Sequence, residues 1–222
     1  ATKNTTVGRR AGYGITTGDN NVLLGNDAGF GITTGGNNVV IGHQAMDASS
    51  SAADGMVAIG VEALGTFNGG NVDSSVAVGE YSLNSLTDGV SSVAVGTKAL
   101  RYTTGNRNTA VGSDALAANT AANNTGVGTF ALMVNTSGTQ NVAVGCFALD
   151  ANTTASQNTA VGHGALSGTT TTSNCTAVGY AALNANTTGR NTAFGSQALK
   201  DTQTSNYNTA IGDHCLWKTT TG

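Results

Sequence analysis

The chain has 222 residues, of which 9% are charged, 32 are Gly and none is Pro, and its formal net charge is -3. An ordinary domain is about one quarter charged, so solubility here rests on Thr, Asn and Ser. Nine scattered Lys and Arg cannot neutralise a phosphate backbone, which excludes a nucleic-acid surface, and no apolar run approaches the roughly 18 residues that insertion into a membrane needs.

The opening ATKNTTVGRR has neither an initiator Met nor the apolar stretch of a secretion signal, and reads as the start of a fragment or a processed product. From there the sequence repeats itself. A Gly closes each short apolar run at Gly8, Gly25, Gly42, Gly60, Gly79, Gly96, Gly112, Gly128, Gly145, Gly162, Gly179, Gly195 and Gly212. These thirteen markers span 204 residues in twelve intervals, a mean of 17, so residues 1–222 read as a single repeat domain.

Within each copy the residue before the marker is bulky and apolar, eight times Val and three times Ile, with Leu24 and Phe194 completing the column. The residue three before it is always Val or Thr. Both columns favour strand, and positions two apart share one face. Between them stands Ala in nine copies: Ala58, Ala77, Ala94, Ala110, Ala143, Ala160, Ala177, Ala193 and Ala210. A strand that is apolar on both faces is covered on both. The bulky columns are therefore expected to line the chain's own core and the Ala column to meet a partner.

Asn stands four before the marker in nine copies, among them Asn4, Asn38, Asn141 and Asn208. Stacked amides at this spacing can bond from rung to rung. After the marker come two free positions, then Ala in eleven copies and Leu in ten, which reads as a second short strand before a TTG-type turn. No stretch sustains helical periodicity. The expected fold is all-β, a parallel β-solenoid (β-roll or β-helix) of about 13 coils of ~17 residues. At roughly 4.8 Å per rung it forms a rod about 58 Å long. Pro is missing because every rung needs its backbone N–H. The coil is slim, and a core this thin is marginal for one chain alone.

Departures from the repeat mark candidate sites. In the first two copies Tyr13 and Phe30 follow a Gly where later copies carry Leu, and are expected to fill the core. The longest steps lie between Gly42 and Gly79, where Asp47 to Gly55 and Gly65 to Ser74 lengthen the turns. Longer loops on a rigid scaffold are places for binding, so Asp47, Asp54, Asn68, Asn71 and Asp73 are the candidate ligand residues. Cys146, Cys175 and Cys215 form no CxxC pair and read as small apolar fillers. Trp217 follows the last coil and is expected to lid an end rung.

Catalysis finds little support. His43 and His163 share a column but lie seven coils apart, roughly 34 Å at the rung spacing. Glu62 with Glu80, and Asp27 with Gln44, could be neighbours on successive coils, but lie in free columns where solvated side chains are the default. GYGITTG lacks the helix that a phosphate loop needs. No catalytic residue, cofactor or metal ligand is expected.

The unit N-[TV]-A-V-G-x-x-A-L, as in Asn158–Leu166 and Asn108–Leu116, resembles the head repeat of trimeric autotransporter adhesins, a left-handed parallel β-roll. With AL followed by NTTG, as in Ala182 to Gly189, it is similar to repeats of bacteriophage tail fibres and tailspikes. The resemblance covers Asn4 to Leu216 and implies a homotrimer of rolls around a threefold axis. The longer period and the lack of a coiled-coil stalk favour the viral fibre. The expected function is a structural and adhesive extracellular segment for host attachment, contacting a host-surface glycan or protein, with a bacterial adhesin head as the alternative. Ice binding is a lesser alternative: it needs outward Thr in one column over most coils, whereas the Thr column here alternates with Val and is expected to face inward.

Overall fold

The computed structural model describes residues 1–48, 52–67, 74–86, 91–202 and 205–219. The fold is an all-β parallel β-solenoid with no helix among the described residues. Each marker segment is a three-residue strand, and within each of the two units described below it pairs in parallel and in register with the equivalent strand of the next copy. Val142 faces Thr159, Ala143 faces Ala160 and Val144 faces Val161.

The chain divides into two compact units, Ala1–Ser113 and Asp114–Gly222. The first carries the strands Thr5–Val7, Val22–Leu24, Val39–Ile41, Val57–Ile59, Val76–Val78, Val93–Val95 and Thr109–Val111. In it a second, two-residue ladder joins Thr66–Phe67 to Ser85–Leu86. The second unit carries Thr125–Val127, Val142–Val144, Thr159–Val161, Thr176–Val178, Thr192–Phe194 and Thr209–Ile211. Asp201–Thr202 pairs there with Lys218–Thr219.

The two faces of the strands are the reverse of the expected ones. Ala58, Ala77, Ala94, Ala110, Ala143, Ala160, Ala177 and Ala193 are fully buried within the single chain, and Ala210 is 1% exposed. They are the inside of the coil, not a surface on which another chain can pack. The Val/Thr and Val/Ile columns point outward, and none of their members is buried. The reason is the width of the coil. Leu100, Leu116, Leu132, Leu149 and Leu166, four residues past their markers, are fully buried, and together with the Ala three past each marker they leave room on the opposing strand for little more than a methyl group.

The segment after the marker is a tight turn, not a second strand. Two of its residues are left-handed in each coil, as at Asp114 (φ 54) and Leu116 (φ 53) or Phe147 (φ 57) and Leu149 (φ 51). Such a conformation costs an L-residue roughly 1–2 kcal/mol. Complete burial of a Leu side chain returns about 1.5–3 kcal/mol. The Leu149 N–H also donates to Ala165 O at 3.0 Å in the next coil, so the turn is favourable in context. The marker itself must be Gly: a Cβ on Gly145 (φ 137) would lie 2.5 Å from Gly162 O.

The first coils solve the packing differently. There the inward strand position holds Leu23, fully buried, while Gly12 and Gly29 on either side of it occupy the Leu place of the turn. A Cβ on Gly29 would meet the Leu23 side chain at 2.9 Å. Volume has moved across the core from turn to strand. Tyr13 and Phe30 accordingly do not fill the core: Tyr13 is 74% exposed, and the two rings stack outside at 5.5 Å.

The Asn column forms the expected ladder. Asn38 Nδ2 donates to Asn21 Oδ1 at 2.9 Å, and the Asn38 N–H donates to the same oxygen at 3.0 Å. Asn141 and Asn208 repeat the arrangement on Asn124 and Asn191. A second ladder, not anticipated from the sequence, runs seven residues past the marker. Asn135 Nδ2 donates to Asn119 Oδ1 at 2.6 Å, and Asn152 Nδ2 to Asn135 Oδ1 at 2.7 Å. Apart from Asn208 these amides are fully buried, and they satisfy carbonyls of the turns, as where Asn141 Nδ2 donates to Ala155 O at 2.8 Å, which a buried backbone requires.

Candidate functional site

Reversing the strand faces moves attention to the outside of the ladder. In-register pairing stacks the outward side chains into two ridges on each unit. In the first they are Thr5, Val22, Val39, Val57, Val76, Val93 and Thr109 beside Val7, Leu24, Ile41, Ile59, Val78, Val95 and Val111. In the second they are Thr125, Val142, Thr159, Thr176, Thr192 and Thr209 beside Val127, Val144, Val161, Val178, Phe194 and Ile211. No member is ionisable. Val95 and Val144 are each 37% exposed and Phe194 44%, so β-branched carbon meets water along the length of each unit. Continuous apolar stripes of this kind mark interaction surfaces.

The candidate ligand residues fare differently. Asn68, Asn71 and Asp73 lie outside the described residues. Asp54 is exposed, yet its Oδ1 accepts the Gly36 N–H at 2.5 Å. Asp19 holds the same place two markers earlier, accepting from the Thr2 N–H, and this hydrogen bond keeps its carboxyl below the ordinary range. Asp54 therefore ties one coil to the one before it. Burial pushes the Asp47 carboxyl upward, against two backbone hydrogen bonds and with help from the charges of Glu62 and Asp27.

The remaining polar candidates have structural partners. Asp27 accepts Arg10 Nε at 2.7 Å and Arg10 Nη2 at 2.8 Å, which holds its carboxyl low. Cys146, Cys175 and Cys215 are free thiols. Cys175 is buried in the Asn column, where desolvation raises its thiol. Trp217 is 44% exposed, with His214 edge-on at 5.4 Å and the ammonium groups of Lys200 and Lys218 at 6.0 and 5.8 Å from its ring. Among the described residues no cluster of three or more His, Cys, Asp or Glu is placed to hold a metal ion.

On the second unit, aromatic rings occupy successive coils beside the marker glycines. Phe130 stacks on Phe147 at 5.3 Å, Phe147 meets His163 edge-on at 5.8 Å, and His163 stacks on Tyr180 at 5.7 Å. The series was not legible in the sequence because it moves sideways: Phe130 and Phe147 stand two after their markers, His163 and Tyr180 one after. His163 thus packs between two rings.

A scan of the chain against family models, a search of curated proteins and a search of solved structures each return no match.

Proposed function

We propose that the chain is a structural and adhesive segment of an extracellular fibre, most closely a phage tail fibre or spike used for host attachment, and that copies of it associate as a homotrimer through the outward ridges. The observation behind this reading is the uncharged stripe of Val, Ile and Thr that one chain leaves half in water. Burying such a stripe is worth about 25 cal/mol per Å², and identical copies with a closed rotation axis offer identical stripes to one another. The role is mechanical and adhesive, not enzymatic, and needs no cofactor. The head of a bacterial surface adhesin would use the same ridges.

Sedimentation equilibrium tests the assembly: the expected species is three times the 21.9 kDa chain. Val95→Asp together with Val144→Asp should reduce it to one chain with its strand content intact, because both side chains point away from the core. A wild-type chain that sediments as a monomer at all concentrations would end the trimeric reading.

A second reading draws on one observation. In the second unit the outward column is Thr in five of its six strands, Thr125, Thr159, Thr176, Thr192 and Thr209, which is the register an ice face requires. Thermal hysteresis in the wild-type chain that disappears in Thr159→Tyr would favour ice over a partner chain.

A further inference from the structure

We propose that the second unit binds a neutral oligosaccharide in the groove between its aromatic tiers and the polar column beside them. The groove has a volume of about 350 Å³, and Phe147, His163 and Tyr180 form one side of it. Asp150, Asn184 and Lys200, each five residues past its marker on a different coil, line the same groove.

The groove exists because one side chain is missing. Two residues past the marker, the coils of this unit carry Phe130, Phe147, Gly164, Ala181 and Gln197 in succession. At Gly164 the column has no side chain, and a Cβ built there would meet nothing closer than Asn184 Nδ2 at 3.7 Å. At the same coil the aromatic series steps to the neighbouring position, so the rings wall the gap instead of filling it.

The lining selects the chemistry of the occupant. Phe147 and Tyr180 are 38% and 55% exposed, so both leave apolar ring surface in water, and Tyr180 adds a hydroxyl at its tip. The C–H face of a pyranose matches such a ring, and its hydroxyls match the groups opposite. Asp150 lines the groove, and its carboxylate is an acceptor for sugar hydroxyls. Asn184 is already oriented by donating Nδ2 to Gly164 O at 3.0 Å, and an oriented amide loses little freedom on binding. One carboxylate and one ammonium line the groove, a balance that does not favour an anionic ligand. Rings and polar groups repeat from coil to coil at the rung spacing, roughly 4.8 Å, so a chain of sugars running along the coils meets the same pair of surfaces more than once.

The proposal gives the adhesive part of the fibre reading a ligand class but lies within a single chain, so glycan binding and self-association can fail independently. The test is calorimetric titration of the purified chain with maltohexaose, cellohexaose, chitohexaose and mannohexaose, beside sialylated oligosaccharides as the acidic arm. At least one neutral hexasaccharide should bind. Tyr180→Ala should weaken it roughly tenfold, and Gly164→Phe should abolish it by filling the gap. Phe147 already holds a left-handed conformation in that column (φ 57), so the Phe variant has a precedent in the fold, and Tyr180→Ala alters only an exposed side chain. Far-UV circular dichroism verifies both, and Tyr13→Ala on the first unit should bind as the wild type does. No binding by any neutral hexasaccharide, binding only by the acidic ones, or binding that survives both Gly164→Phe and Tyr180→Ala overturns the proposal.

Discussion

The first unit holds Val at the outward position three before the marker in five of its seven strands, Val22, Val39, Val57, Val76 and Val93, where the second holds Thr in five of six. The interior differs in the same direction. Seven residues past the marker the first unit buries Ile32 and Leu86 with one polar residue, Thr103, while the second buries Asn119, Asn135, Asn152 and Asn186. Both units keep the same strand, marker and turn, so the ladder is set by the backbone. The side chains are left to decide how dry each unit is, inside and out.

The largest expected effect breaks the packing contrast between the early coils and the later ones. Leu23→Ala should destabilise the first unit by about 2–5 kcal/mol. Gly29→Leu alone should also destabilise it, because Leu23 already occupies the space. The double variant reproduces the arrangement of the later coils, Ala on the strand with Leu in the turn, and should lie closer to wild type than either single change. Denaturant unfolding of the four proteins measures this coupling, and simple additivity would mean that volume is not exchanged across the core.

Next in size is the interior column. Asn152→Leu removes the donor to Asn135 Oδ1, leaving that buried acceptor unmet at a cost of about 1–3 kcal/mol, while Ala155 O keeps Asn141 Nδ2. Replacing an equally placed apolar residue of the first unit, Leu86→Ile, should cost less than 1.5 kcal/mol. Equal losses from the two would erase the distinction between a hydrogen-bonded and an apolar interior, and unfolding midpoints of the two variants decide it.

The smallest effect is electrostatic and confined to the first unit. The Asp47 carboxyl is raised in the folded chain, so its protonated form is the favoured one. The stability linked to it is present below the ordinary carboxylate range and declines as pH rises from that range to the raised value. Asp47→Asn should therefore increase the melting temperature slightly at pH 7 and leave it unchanged at pH 3. Asp27 has the opposite sign: its carboxyl is lowered by Arg10, so the contribution of that pair is present at neutral pH and fades as acid protonates the carboxylate. Melting curves of Asp27→Asn should differ from wild type at pH 7 and converge with it in acid.

Much of this architecture was legible because the repeat aligns the chain with itself. The 17-residue period, the parallel register and the Asn21–Asn38 type of ladder follow from columns alone. The inward face did not follow. A Val-Ala-Val strand is apolar on both sides, and residue size points to the wrong one, because the width of the coil and not the bulk of the side chain selects what goes inside. The turn was misread for a related reason: ten Leu in one column look extended, and nothing in the letters tells that Leu116 or Leu149 accepts a left-handed backbone in return for burial. The second amide ladder had a signal, Asn119, Asn135 and Asn152 at steps of 16 and 17, hidden in text that reads as turn. The groove had none, since it depends on a glycine and a sideways step of aromatics that become neighbours only once the coils are stacked.

One consequence of the amide ladders concerns durability. Asn carries no proton to gain or lose, and among the described residues Asp27 is the only charged side chain in the buried interior. The amide-to-amide part of the cohesion between rungs is therefore indifferent to acidity and to dissolved salt, and only the few carboxylate ties, such as Asp27 to Arg10 and Asp54 to Gly36, answer to either.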